Sequence, residues 1–394
     1  MKEINCDILI VGAGLTGLLT AQALSSLKLN IVIIDKFNFS TLKDEKYDLR
    51  TTAISEGSKE FLENINIWKK MKNYAEPIKN IKVIDRKNSN KLDFINKIKD
   101  RNLGYIVKNN VIKSVILKSI NLKKNIQLIN LVKLTNIYQK KNLVLSESDN
   151  LRINSKLLIA ADGKNSFVRN YIKTPVFKKN YKQKALVVNF HHTKNHNNIA
   201  YELFLKSGPL AILPMKKMKK NFYLSSLIWS HTPSYINSLS SIDKNILILI
   251  LQEKINQYVG QVKEILDVQS FNLSAHLNSN FFHDRIMYLG DSAHSIHPIA
   301  GQGWNLGIRD IKNCLFTIKS NLDLGLDIGS LYVCKQYHDL SYYDSYSFFE
   351  ITDKLNLIFL NDSKFINNIR KKGFKLINNQ KFLKNYITNF AMGF

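Results

Sequence analysis

The stretch RIMYLGDSAHSIHPIAGQGWNLGIRD, residues 285–310, decides the fold. Its apolar run at 286–289 reads as a buried strand that stops at Gly290-Asp291. A glycine-bracketed loop through Pro298, Gly301, Gln302 and Gly303 follows, and a helix can begin near Trp304-Asn305. An aspartate at a strand end can accept hydrogen bonds from sugar-like hydroxyls. A helix N-terminus offers unpaired backbone N–H groups and a partial positive charge to an anion. Gly301 and Gly303 carry no side chain where a flat ligand must lie against backbone. Such a site fits a polyol chain attached to a ring that becomes anionic.

The N-terminus supplies a second strand end. Residues 7–11 (DILIV) form a short, nearly all-apolar run, as expected of a central parallel strand covered on both faces. It enters Gly12-Ala13-Gly14-Leu15-Thr16-Gly17, which opens a helical stretch through Leu24. A second apolar run at 31–34 ends at Asp35, 18 residues after Gly17. Strand, glycine turn, helix, strand and acidic residue together make the dinucleotide fingerprint in its required context. Gly12 permits the tight turn, Gly14 lets a pyrophosphate reach the helix N-terminus, and Gly17 allows close helix packing. Asp35 is the candidate for the adenosine ribose hydroxyls. With the first site, this points to a flavin dinucleotide.

A third strand, 157–161, ends in Ala160-Ala161-Asp162-Gly163, followed by Lys164-Asn165-Ser166 and Val168-Arg169. Together with DLRTTAIS (48–55), this set resembles the flavoprotein aromatic hydroxylases built on the para-hydroxybenzoate hydroxylase plan. It resembles more closely the ubiquinone-biosynthesis hydroxylase branch, UbiH/UbiF/VisC/COQ6. The branch pattern GD-x-AH-xx-HP-xAGQG-x-NLG-xx-D is filled at every fixed position from Gly290 to Asp310. Further matches are GYIV at 104–107, GPLAILP at 208–214 before Trp229, Thr352-Asp353 with Leu355, and Ala391-Met392-Gly393.

The resemblance implies roles residue by residue. Gly12, Gly14, Gly17 and Asp35 match the ADP-binding positions. Arg50 matches an arginine near the pyrophosphate and the nicotinamide approach, and Asp162 with Gly163 a motif serving both FAD and NAD(P)H. Gly290 and Asp291 match the contact to the ribityl and pyrophosphate region. Pro298, Gly301, Gln302, Gly303, Trp304 and Asn305 match the loop and helix start beside the isoalloxazine ring. Lys108 and Asn109 occupy the stretch where a ribityl contact is usual. The implied chemistry is FAD-dependent hydroxylation of a polyprenylated phenol, with NAD(P)H reducing the flavin and O2 adding to it as a hydroperoxide. The main electrostatic task is then holding negative charge at the pyrimidine end, for which the backbone N–H groups of Gly303 to Asn305 are suitable donors. Competing readings are a same-fold flavoprotein with other chemistry, such as epoxidation, halogenation or prenyl reduction, and a non-catalytic flavoprotein scaffold of a quinone-synthesis complex. Trp229 stands without the WxWxIP-type motif of halogenases.

The expected fold is α/β: a Rossmann-like, three-layer FAD domain with a parallel sheet, an inserted antiparallel-sheet substrate domain, and C-terminal helices. The FAD domain is discontinuous, over 1–75, 100–175 and 275–345; the substrate domain takes 76–99 and 176–274, and the helical region 346–394. Short β-like runs at 184–190, 200–205, 211–213 and 222–229 are expected to roof the ring, followed by a helix across 243–260. Leu203, Leu213, Pro214 and Trp229 are candidate walls of the substrate cleft, with ordinary core packing the competing account.

Composition agrees. The chain of 394 residues has room for two or three packed units. Cys6, Cys314 and Cys334 make neither a CxxC motif nor an even framework, which suits a reducing cytoplasm. No metal site is expected: His191, His192 and His196 follow a strand with no thiols or carboxylates near them in sequence. His294 and His297 read as loop-fixing residues more readily than as general bases. No apolar run approaches the roughly 18 residues of a membrane span, and the early first strand leaves no room for a signal peptide. The net charge of +26 comes from 57 basic residues, of which 49 are lysine, without any RNA-binding signature. It is expected to be spread over solvated faces instead of marking specific nucleic-acid binding. After Asp362 no acidic residue remains, and lysines alternate with Phe365, Ile366, Ile369, Leu376, Ile377, Phe382, Leu383, Tyr386 and Ile387 at helical spacing. A tail of this kind suits either peripheral contact with an anionic membrane from the cytoplasmic side or packing against the flavin domain.

Overall fold

The computed structural model describes every residue except 40–47, 87–89, 97–100, 218–220 and 362, with backbone alone at residue 300. The expected domain boundary at residues 99 and 100 lies outside the described residues.

Apolar runs too short for helices and covered on both faces become the central strands of the first sheet. Its order is Phe282–His283, Ile286–Tyr288, Leu151–Ala160, Lys2–Val11, Ile31–Ile34 and Ile126–Ile129. Ile8, Leu9 and Ile10, and Leu157 to Ala160 beside them, have no exposure. The first strand is longer than its apolar run, because residues 2–6 also pair with 151–155. Pairing from 286–288 through to 126–129 is parallel, and its register fixes the site. Val11 lies opposite both Ala160 and Ile34, and Ala160 opposite Tyr288. Four carboxyl ends therefore stop at one level, at the edge where open α/β sheets bind ligands. The helix Leu15–Leu24 is buried along nearly its whole length, between this sheet and the helices Asn109–Ile120 and Gly303–Asp323.

A second sheet runs His294–Ser295, Val262–Asn278, Val176–His192, Tyr223–His231, Gly208–Met215, Ile199–Leu205, Asn80–Asp85 and Asn90–Ile95. All its neighbours are antiparallel except Ile199–Leu205 with Asn80–Asp85, so it is mixed where a purely antiparallel roof was expected. Residues 176–192 and 262–278 form two 17-residue strands with register shifts, where only a run at 184–190 was expected. The strand 262–278 escapes a two-residue periodicity because both its faces carry polar residues over much of its length. The expected 243–260 helix is Lys244–Val259, and a second helix, Pro233–Ser241, precedes it. Both cover the outer face over Leu186, Val188, Phe190, Leu210 and Leu227. The inner face meets the first domain, where Asn189 Nδ2 donates to the Leu49 carbonyl and Leu49 N–H donates to Gln269 Oε1.

Two expected boundaries shift. The pairing of residues 276–277 with 294–295 places parts of 275–345 in the second sheet. The boundary at 345/346 falls inside one 30-residue helix, Leu331–Leu360. Beyond it, Lys364–Asn379 and Lys381–Met392 pack back on the protein. Phe374, Arg370 and Met392 are buried, Phe359 stacks on Phe204 at 3.5 Å, and Arg370 lies beside the buried Asp85 at 3.5 Å. Among the described residues no helix is long and apolar enough to cross a membrane.

Candidate active site

The first strand turns into its helix over glycines that serve different ends. Gly12 has φ +106°, and a Cβ there would lie 2.4 Å from the Ala161 carbonyl oxygen. At Gly17 a Cβ would meet the Gly12 carbonyl oxygen at 1.9 Å. These two glycines let the turn close on the third strand end. Gly14 is different: a Cβ there would meet nothing within 4 Å, although the residue caps a helix with no side-chain cap. Asp35 ends the neighbouring strand and braces the turn, its Oδ2 accepting from Ala13 N–H at 2.6 Å and its Oδ1 from Phe37 N–H at 2.9 Å.

The other two strand ends are tied together. Arg169 donates to the Ser292 and Lys164 carbonyls and to His276 Nε2. Asp162 Oδ2 accepts from Val168 N–H, while its Oδ1 has no partner, and burial raises its pKa despite the N–H groups it accepts. Gly290, at φ +57°, leaves only 2.7 Å between an added Cβ and Thr16 Oγ1. Its N–H donates to Asp310 Oδ2 at 2.8 Å, and the same oxygen lies 2.7 Å from His294 Nε2. Burial opposes charge on His294, but the Asp310 carboxylate outweighs it and raises the imidazole pKa. His294 thus fixes the loop. His297 packs edge-on against Tyr181 at 4.7 Å and reaches Gln183, and burial takes its pKa down to about 4, so it stays neutral. Neither histidine is positioned as a free base.

Asp291 is exposed, and its charge acts on both Arg50 and Lys164. Arg50 is anchored to Asp48 through Nε at 2.8 Å and Nη2 at 3.0 Å, and its guanidinium sits 5.1 Å from the Phe271 ring. Burial works against the Asp48 carboxylate, yet Arg50, Asn109 and Lys113 bring its pKa down to about 2. Asn109 spends its side chain on Asp48 and Thr52, within the network that holds Arg50. Asp48, Thr52 and Asn109 were missed as a unit because nothing in sequence marks a 61-residue separation as contact.

In the loop, Gly301 has φ +62° and an added Cβ would touch the Ala53 side chain at 3.3 Å. The helix begins at Gly303 with no side-chain cap. Its first N–H groups therefore have no partner within the helix. Open space surrounds the position of a Gly303 Cβ, and the neighbouring Trp304 Nε1 has no partner. Asn305 uses its side chain to accept from Ser55 N–H and to donate to the Ala53 and Gly301 carbonyls, so it clamps the loop to a strand. Pro298 opens the short 3-10 turn Ile299–Gly301, and Gln302 Nε2 donates to the Ala391 carbonyl.

The substrate candidates divide. Leu203 and Trp229, each 1% exposed, belong to the outer core under the two covering helices, with Trp229 against Tyr235 at 5.5 Å. Pro214 shares the outer side by strand alternation with Ile212. These three are core residues and not cleft walls. Leu213 alone lies on the inner side, with Met215 and Leu224. The missed inner-face residues, Val187, Glu202, Ala211 and Ile228, form one row across four paired strands. Of the three histidines expected after a strand, His191 and His192 are the last residues of the strand Val176–His192 and only His196 follows it; they meet Glu264, the Val259 carbonyl, Ser225 and Asn198 N–H.

Two uncapped helix N-termini, open space at Gly14, Gly163 and Gly303, and cations about Asp291 fit a long dianionic dinucleotide with a flat ring. The fold and site thus define a flavin-binding two-domain protein. A family model described as FAD binding domain matches residues 5–322. The ubiquinone hydroxylase UbiL of Rhodospirillum rubrum is 29% identical over 388 residues, covering 98% of this chain and 89% of that one. The mitochondrial ubiquinone biosynthesis monooxygenase COQ6 of Dictyostelium discoideum is 25% identical, covering 100% and 92%. The crystal structure of p-nitrophenol 4-monooxygenase PnpA from Pseudomonas putida superposes with a TM-score of 0.79 at 16% identity, covering 100% of this chain and 98% of that one. The chain belongs to the FAD binding domain family, in the branch of FAD-dependent monooxygenases that contains the ubiquinone hydroxylases.

Proposed function

We propose that this chain hydroxylates the aromatic ring of a polyprenylated phenol in ubiquinone biosynthesis, using FAD, NAD(P)H and O2. The observation that carries the reading is the level register of four strand ends, which gathers the glycine turn, Asp35, Asp162-Gly163 and Gly290-Asp291 beneath the roof sheet. FAD, when bound, supplies the redox chemistry between NAD(P)H and O2.

The chain's own part is to hold, orient and exclude water. Gly14 and the N–H groups opening Leu15–Leu24 receive the pyrophosphate, Gly12 and Gly17 keep the turn tight, and Asp35 faces the adenosine ribose. Gly290 and Asp291 serve the ribityl end, with Asp162 and Gly163 beside them. Arg50, steadied by Asp48 and Phe271, meets negative charge at the pyrophosphate and at the nicotinamide approach. The N–H groups of Gly303, Trp304 and Asn305, beside Pro298, Gly301 and Gln302, stabilise negative charge at the pyrimidine end of the ring. The roof sheet closes over the ring and keeps the reacting pair dry.

A prenylated substrate resides in lipid, and the tail suits delivery from there. Phe365 and Phe382 are 72% and 84% exposed, and Lys364, Lys371, Lys372, Lys381 and Lys384 lie on the same two helices. One face packs while the other can rest on an anionic membrane surface from the cytoplasmic side. The decisive experiment purifies the chain and records its visible spectrum. NADH and NADPH oxidation is then followed with and without a prenylphenol. A yellow protein whose oxidation is stimulated by the phenol, with hydroxylated product formed, supports the reading; a chain that stays colourless after reconstitution refutes it.

A further inference from the structure

The strand Ile199–Leu205 points Tyr201, Leu203 and Leu205 to the outer core, while Ala200 and Phe204 lie on the inner side. Glu202 shares that inner side, opposite Ala211 on one neighbouring strand and Val83 on the other. Along the same row Ala211 faces Ile228, Ile228 faces Val187, and Val187 faces Gln269, which accepts the Leu49 N–H. Two residues along its own strand, Phe204 clusters with Ile299 of the glycine loop. Glu202 therefore stands in the roof between the Leu49-Arg50 segment and the Pro298–Gly301 loop, the two segments that flank the ring site.

Its environment is unusual for an acid. Among the described residues nothing hydrogen-bonds or pairs with its carboxyl group, yet neither oxygen is sealed from a water-sized molecule. Protein surrounds it closely enough that burial alone pushes its pKa up to about 8. The side chain is half-buried on the sheet face turned to the first domain. By contrast Asp85, on the inner side of the adjacent strand, is matched by Arg370. An unpaired acid in such a place costs stability, which makes it a candidate for ligand contact.

We propose that Glu202 is the roof group that hydrogen-bonds the ring hydroxyl of the aromatic substrate and so selects phenols over their ethers. The assignment rests on the hydroxylase reading. The carboxyl group can accept the phenolic O–H, and in its protonated form it can also donate to the phenolic oxygen. An ether offers no O–H, so the carboxyl group's acceptor oxygen goes unmatched even where its own O–H meets the ether oxygen.

The test uses the flavin-loaded full chain, with 2-prenylphenol and its methyl ether titrated by their effect on the flavin spectrum. Wild type is expected to bind the phenol at least about tenfold more tightly than the ether, as sites built around a hydroxyl do. Glu202→Gln keeps most of this preference, because a carboxamide retains both an acceptor and a donor. Glu202→Leu binds the two probes alike, and product formed per NADH consumed falls with the phenol. A second readout needs no side-chain loss. The infrared carboxylic acid band that Glu202→Gln lacks shifts in wild type on adding the phenol and not on adding the ether. Full phenol preference in Glu202→Leu, or a band indifferent to the phenol, overturns the assignment while wild-type hydroxylation leaves the functional reading standing. A wild-type chain that neither binds nor hydroxylates any phenol overturns both.

Discussion

Replacing Gly14 by alanine separates the folding of the glycine turn from its use. The added Cβ meets nothing within 4 Å, so the flavin-free chain has no steric reason to suffer. Its φ of −70° is one that alanine adopts readily. Stability without FAD is expected to change by no more than about 0.5 kcal/mol, the range of substitutions that disturb no packing. If that open space is where the pyrophosphate lies, the methyl group intrudes on a filled contact, at a cost of about 1–3 kcal/mol. That cost corresponds to roughly 5- to 150-fold weaker FAD binding. Gly17→Ala is the control, because its Cβ would come within 1.9 Å of a backbone oxygen that cannot move alone. It should lower stability with or without FAD. The assay is FAD titration by flavin fluorescence, paired with thermal unfolding of the stripped and loaded proteins. Gly14→Ala binding FAD within twofold of wild type would refute the placement, as would destabilising the stripped chain as much as Gly17→Ala.

Three further outcomes are expected. His294 has its pKa raised by Asp310 against burial, so its contribution is complete below the unfolded value of about 6.5 and is lost as pH rises through the folded value. The stability gap between wild type and His294→Gln should therefore narrow from pH 6 to pH 9; parallel denaturation midpoints would contradict the pair. Leu203→Ala should cost about 2–5 kcal/mol of stability with little change in substrate KM, as for an ordinary core leucine. Leu213→Ala should do the reverse, and a matching KM effect in both would return Leu203 to the cleft. Finally, the chain should sediment with phosphatidylserine vesicles at low salt, and Phe365→Ser with Phe382→Ser should release it; unchanged sedimentation of the double variant would place any membrane contact elsewhere.

Much of the candidate cofactor site was legible because its signals are local. Gly12 to Gly17 with Asp35, Asp162-Gly163 and the 290–305 segment each carry their meaning within a few residues, and the sheet register then aligns them. The roof was harder to read. Whether Leu203 or Glu202 faces the first domain depends on which side of a sheet is covered by the helices 233–241 and 244–259, and an alternating strand leaves the two sides equivalent. Glu202 carries no motif at all; only its position and lack of a partner distinguish it. Asn305 shows the opposite case, a motif residue whose place was clear but whose side chain is spent on the backbone of Ala53, Ser55 and Gly301.

Residues 390–393 hold segments that lie far from them in sequence. Ala391 receives Gln302, Phe390 receives Arg309, and Gly393 comes against Gly57. Gln302 and Arg309 are thus tied to carbonyls 89 and 81 residues further along the chain. A protease cut between the helices Lys364–Asn379 and Lys381–Met392 would turn these intramolecular links into bimolecular ones and loosen the start of the helix Gly303–Asp323.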